Sequence, residues 1–193
     1  MTNLASTSTG AAAPRSPALR QRPPIAHATV RPAGTRADWL AATRLLHDYV
    51  AWIEHTGAIT VRHVQPAFAD ELSDLERAYS SPASVLLVAD DGGGPSGTVA
   101  VRIDHTGDAE VKRLYVDPAT RGRGLADLLL RTGLGWARRA GAARAWLETV
   151  PGLMDPAIGL YRRHGFRHVA TTPLVGIDHA IVMALELTRS CAR

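Results

Sequence analysis

Lysine and cysteine are almost missing from this chain. Its 193 residues include one lysine, Lys112, and one cysteine, Cys191. A single cysteine excludes an internal disulfide, and nothing around Cys191 marks it as a nucleophile. It also sits near the C-terminus, where chains commonly fray. Arginine therefore carries nearly all the positive charge, a usage that genome composition explains without any function. No apolar run approaches the roughly 18–20 residues that would span a bilayer. The N-terminus lacks the apolar core of a signal peptide, so a cytoplasmic location without membrane association is expected. No glycine-rich turn is followed by lysine and a hydroxyl residue, which excludes a P-loop.

What is present suits one domain with a full hydrophobic core, and the apolar content of 46% is ordinary. The net charge of +4 is unevenly placed. Residues 1–24 hold Arg15, Arg20 and Arg22 and no acid, leaving the remainder close to neutral. This Ser/Thr/Ala/Pro-rich stretch reads as a disordered basic leader, with the folded domain over about 25–190. A basic tail can touch nucleic acid, but three scattered arginines make a poor patch, so nucleic acid is disfavoured as a partner.

Periodicity then divides the domain. Ala26–Arg31 alternates as a first strand stopped by Pro32. Thr35 or Asp38 caps a helix from about Asp38 to His55, with Trp39, Leu45, Leu46, Tyr49, Val50 and Ile53 as its apolar set. A second helix is expected over Pro66–Tyr79, opened by proline with acids near its start. Val85–Ala89 and Gly97–Ile103 read as strands joined by a hairpin through Asp90–Pro95. A central strand from Glu110, a helix from Leu125, a strand over Arg144–Thr149, a helix from Asp155 and strands near Phe166–Thr172 and His179–Leu187 complete the series. Such an order gives an α/β domain with a mixed sheet and helices on both faces.

The richest stretch is Glu110–Gly141. Val111, Leu114, Tyr115 and Val116 are strand formers, and Asp117-Pro118 ends the strand. Arg121-Gly122-Arg123-Gly124-Leu125-Ala126 follows, and a helix opening there presents unpaired amides and the positive end of its dipole. Gly141 sits where a C-terminal helix glycine belongs. This geometry binds phosphate. A dinucleotide fingerprint fits poorly, because its third glycine position is Asp127 and five residues separate strand from first glycine. Glu148, ending the next strand, imitates the ribose-binding acid and keeps that reading open.

Arg121-x-x-Gly124-x-Ala126 resembles the R/Q-x-x-G-x-G/A signature of the GNAT N-acetyltransferases. Downstream, Asp155-Pro156-Ala-Ile-Gly-Leu-Tyr161-Arg-Arg-His-Gly165-Phe166 resembles the family's second motif, in the right order and spacing. The resemblance covers about residues 26–187 and is specific from about 84 to 170. It implies a mixed, mostly antiparallel sheet of six or seven strands. It also implies acetyl-CoA as cosubstrate, its pyrophosphate held by Arg121, Gly122, Arg123, Gly124, Leu125 and Ala126.

Further roles follow from the same resemblance. The backbones of Leu114, Tyr115 and Val116 would stabilise the developing oxyanion and pair with the pantetheine arm. Glu110 stands where several members keep a general base, although a solvated strand-end glutamate explains it too. Tyr161 stands at the position of the proton donor to the leaving thiolate, with simple packing as its bland alternative. Asp155 replaces an asparagine that commonly contacts the cofactor. An aspartate cannot donate that amide's hydrogen bonds, and Asp155-Pro156 is also a good helix start. Gly159 weakens this helix by about 1 kcal/mol relative to alanine.

Trp39, Tyr49, Trp52, His47, His55 and His63 are candidate contacts on the acceptor side, each more often explained by simple packing or exposure. The expected activity is acetylation of a primary amine of a small molecule or peptide, and a homodimer is compatible with it. Two alternatives are a non-catalytic acyl-CoA sensor and an aminoacyl-tRNA-acetylating toxin, the latter disfavoured by the near-neutral body. Deleting residues 1–24 is expected to leave the melting temperature unchanged, because a solvated leader makes no buried contacts. A drop of more than a few degrees in a thermal scan would show that the leader docks.

Overall fold

The computed structural model describes residues 28–57, 60–61, 65–174 and 177–187. The expected leader, the start of the first strand, His63 and Cys191 lie outside these residues. Seven strands form one sheet in the order β1-β2-β3-β4-β5-β7-β6. They are β1 (Thr29–Pro32), β2 (Ser84–Asp90), β3 (Pro95–Ile103), β4 (Ala109–Val116), β5 (Arg144–Thr149), β6 (Arg167–Leu174) and β7 (Ile177–Glu186). Only β4 and β5 run parallel; the other neighbours are antiparallel.

Helices cover both faces, as the pattern predicts. β2 shows why its sequence is apolar without alternation. Leu87 and Ala89 pack with α4 (Leu125–Arg139), whereas Leu86 and Val88 pack with α1 (Arg36–Gly57). The main core lies under α4 and α5 (Asp155–Arg163), built on Leu129, Leu130, Leu147, Phe166 and Met183. Gly133 lets α4 press on the sheet: a Cβ there would stand 3.1 Å from Val101 Cγ2. Gly141, with φ 89°, follows the end of α4 as expected.

Thr35 and Asp38 cap α1 together. The Thr35 hydroxyl accepts from the Asp38 amide at 3.2 Å, and Asp38 Oδ2 accepts from the Thr35 and Gly34 amides at 3.0 and 3.1 Å. Arg31 completes the arrangement with two bonds to the same carboxylate, at 2.6 and 2.7 Å. The Arg31 guanidinium thereby holds this buried carboxyl well below the usual carboxylate range. The capping box ties α1 to the edge strand β1.

The helix expected over Pro66–Tyr79 is two helices, α2 (Pro66–Ser73) and α3 (Leu75–Tyr79). Asp74 breaks it with φ −155° and ψ 81°, and its side chain accepts from the Arg77 amide. An aspartate favours this because its carboxylate caps a new helix better than it serves a helix interior. The acids of α2 also lie past its first turn, so they do not serve its dipole.

Glu71 has a different task. Between β3 and β4, Thr98 pairs with Tyr115 and Ala100 with Lys112, leaving Val99 opposite both Arg113 and Leu114. This is a β-bulge, and Arg113 takes φ 59° within it. The Thr98 hydroxyl donates to the Arg113 carbonyl at 3.0 Å. The Arg113 side chain reaches α2, donating to Glu71 at 2.8 and 3.1 Å and to Gln65 at 3.3 Å. Its guanidinium lies 3.4 Å from the Phe68 ring centroid. Tyr79 donates to the same Glu71 carboxylate. Burial raises the Glu71 carboxyl, but the bonds and charge of Arg113 outweigh it and hold the group below its ordinary value.

The two side chains are only 9% and 6% exposed, so neither charge has water to fall back on. Removing one partner from such a pair costs about 3–5 kcal/mol. Glu71→Ala is therefore expected to lower the unfolding free energy by about that amount in a urea titration. A loss under 1 kcal/mol would mean that the pair contributes little.

Candidate active site

The site begins where the sheet opens. β4 and β5 pair only at Ala109–Ala145 and Glu110–Trp146. Beyond Glu110, β4 keeps its pairing with β3 alone, and the gap widens into a cleft of about 690 Å³. Val111–Val116 forms one wall, with Leu125, Ala126, Ala157 and Leu160 on α4 and α5 beside it. Tyr49, Trp52 and Phe68 on α1 and α2 also line it. The bulge at Arg113 and the divergence of β5 both free this stretch of backbone from regular pairing.

At one end of the cleft lies the start of α4. Gly122 and Gly124 have φ 77° and 87°, a region an L-residue enters at a cost, and a Cβ on either would meet nothing within 4 Å. The glycines thus serve the turn, and the space above them is open. Gly124 is the N-cap and supplies no side-chain bond, so the first amides of α4 remain for a ligand. Arg121 lines the cleft, donates through Nε to the Val116 carbonyl at 2.9 Å, and lies 5.5 Å from the Tyr115 ring centroid. Asp127 would oppose an anion here, but its oxygens contact Arg131 at 2.9 Å and His164 at 2.7 Å.

The other titratable groups lie between the strands. Lys112 Nζ donates to both oxygens of Glu110, at 2.8 and 2.9 Å. Glu148, on β5, stands at the cleft rim, and its carboxyl is raised above the ordinary value by desolvation and then by the Glu110 charge. Tyr161 lies across on α5, buried, its ring 5.8 Å from that of Phe166. Burial pushes its phenol well up, with Tyr49 adding to the shift. It is therefore protonated at neutral pH.

Most site residues predicted from sequence converge on this cleft: Glu110, Leu114, Tyr115, Val116, Arg121, Gly122, Gly124, Leu125, Ala126 and Tyr161. Arg123 and Asp155 are not among its lining residues. Arg123 points to Asp91 at 3.6 Å, and Asp155 accepts from the Gly152 amide at 2.8 Å. Met154 rather than Asp155 is the N-cap of α5. Of the acceptor-side candidates, Tyr49 and Trp52 line the cleft. Trp39 packs against the α1–α3 core, while His47 and His55 are exposed. A Cβ on Gly159 would meet Arg163 at an ordinary 3.7 Å, so no close approach requires that glycine.

Sequence reasoning missed the place of Glu148, the Lys112 pairing and the Arg113 clamp. Lys112 carried a signal, since residues two apart on a strand share a face, here with Glu110. Arg113 carried none, because a bulge is invisible in the residue pattern.

A profile of the acetyltransferase (GNAT) family matches residues 51–166, more than half of the chain. The chain belongs to that family. An uncharacterised N-acetyltransferase of Schizosaccharomyces pombe is 34% identical over 122 residues, covering 62% of this chain and 74% of its own length. Another of Escherichia coli is 34% identical over 101 residues, covering 51% of this chain and 60% of its own. A putative acetyltransferase of Salmonella typhimurium, solved with acetyl-CoA, superposes with a TM-score of 0.65 at 24% identity. That superposition covers 86% of this chain and 96% of the other.

This chain builds both the splayed strands and the glycine turn. The turn offers a clean test. Gly124→Ala introduces no clash, yet must hold a left-handed φ at a cost of about 1–2 kcal/mol. Urea unfolding is expected to show that loss, and an unchanged midpoint would mean that the turn relaxes.

Proposed function

We propose that this protein transfers an acetyl group from acetyl-CoA to a primary amine of a small molecule or peptide. The observation that carries the reading is the pairing, in one cleft, of an open β4 edge with carboxylates on one side and a buried neutral tyrosine on the other. The fit to the cosubstrate rests on the open space above Gly122 and Gly124 and the uncapped amides that follow. When bound, acetyl-CoA supplies the acetyl thioester.

The residues of the chain have distinct tasks. The first amides of α4 and the Arg121 guanidinium bind the diphosphate, with helix dipole and charge acting together. Leu125, Ala126, Ala157 and Leu160 exclude water along the cofactor arm. The backbone of Leu114, Tyr115 and Val116 orients the thioester carbonyl and stabilises negative charge on its oxygen.

An amine arrives as an ammonium ion and must lose a proton before it attacks. Both oxygens of Glu110 already accept from Lys112. Glu148 has no ion pair among the described residues, and desolvation raises its proton affinity. We therefore assign proton removal to Glu148, with Glu110 holding Lys112 in place and adding to that affinity. Tyr161 keeps its proton at neutral pH and can give it to the departing sulfur.

Two variants test these roles, with coupled detection of released thiol. Tyr161→Phe retains the ring packing on Phe166 and should lower kcat by roughly 10²–10⁴-fold with little change in acetyl-CoA affinity. Protonation of Glu148 disables the base, so kcat/KM for the wild type should fall as pH drops through a value above that of an ordinary glutamate. Glu148→Gln should remove that limb and most of the rate. Tight acetyl-CoA binding by wild type with no turnover of any amine would overturn the enzyme reading.

A further inference from the structure

The chain has two phenylalanines, four tyrosines and four tryptophans, and five of these line this cleft: Tyr49, Trp52, Phe68, Tyr115 and Tyr161. Four of them gather in one cluster. Tyr49 is their hub, with ring centroids 5.4 Å from Tyr115, 6.3 Å from Phe68 and 6.3 Å from Trp52. The Tyr49 and Trp52 planes lie 15° apart. Phe68 and Tyr115 are buried, as core packing alone would have them, but Tyr49 and Trp52 are only half-buried. Both line the cleft.

Charge narrows the occupant further. On this side of the cleft Lys112 is matched by Glu110, and Arg113 by Glu71. Glu148 is left as the carboxylate without an ion pair among the described residues. One cation is thus wanted beside Glu148.

Resting on the acetyltransferase reading above, we propose that the acceptor is an arylalkylamine: one primary ammonium group carried on a flat aromatic body. The ammonium meets Glu148, and the aromatic body lies against Tyr49 and Trp52. Ring-on-ring contact favours it over an aliphatic chain of equal carbon count. A diamine brings a second charge with no partner, and an amino acid brings a carboxylate beside Glu148, so both are disfavoured.

A four-compound panel tests this with the intact chain: phenethylamine, octylamine, diaminooctane and phenylalanine. Phenethylamine is expected to give the highest kcat/KM, by about tenfold over each of the others. Trp52→Leu keeps an apolar side chain, and should lower kcat/KM for phenethylamine about fivefold more than for octylamine, with acetyl-CoA affinity unchanged. Equal or better turnover of any of the other three would overturn the aryl pocket and leave the acetyltransferase standing. If no amine is turned over, calorimetry of phenethylamine with the CoA-loaded protein decides. Binding that weakens in Trp52→Leu upholds the pocket while the catalytic reading fails, and absence of binding overturns the pocket.

Discussion

The clamp between Arg113 and Glu71 is the constraint on which the rest of the site depends. A β-bulge places Arg113 at φ 59°, unfavourable for a residue with a side chain, so the surroundings must hold it there. They do so from two directions. Thr98 fixes the carbonyl from β3, and Glu71, Gln65 and the Phe68 ring fix the guanidinium from α2. One side chain thus secures the kink in the central strand and seats α2, which lines the cleft. Both charges are nearly dry, so a partly formed clamp would be worse than none.

The opening between β4 and β5 follows from how little they share. Two residue pairs join them, and each strand finds its remaining partner elsewhere, β3 for one and β7 for the other. A gap in the middle of a sheet ordinarily leaves polar backbone unsatisfied. Here it faces a cleft of about 690 Å³, where water or ligand can reach it. The same divergence sets Glu148 near Glu110 and Lys112 without a shared ion pair, which leaves Glu148 the carboxyl that desolvation can raise. The chain's one lysine is spent at this point, as a counterion to Glu110.

The cleft is built in halves from different parts of the chain. Residues after 110 supply the glycine turn, the free amides and the aliphatic walls, all on elements held by the main core. Residues before 80 supply Tyr49, Trp52 and Phe68 from α1 and α2, held by two smaller clusters. The first half is fixed by backbone geometry and tolerates few designs. The second is made of side chains on helices, of which Phe68 also holds Arg113 of the sheet.

That division is also the line between what could be read and what could not. The glycine turn before α4 was legible in the sequence, because Gly122 and Gly124 encode a local φ that few other residues hold. The sequence by itself determined the two-sided burial of β2 through an unbroken apolar run, and the start of α1 through Thr35 and Asp38, since these are short-range effects. It misjudged Pro66–Tyr79 because Asp74, neutral in a helical pattern, was taken up as a cap. Only the tertiary structure decided the bulge at Arg113, the ion pair that spans 42 residues to Glu71, and the meeting of Glu148 with Glu110 across diverging strands. Each depends on register between strands or on packing of a helix over a sheet. Those choices come from summing many distant contacts, and no local run of residues carries them.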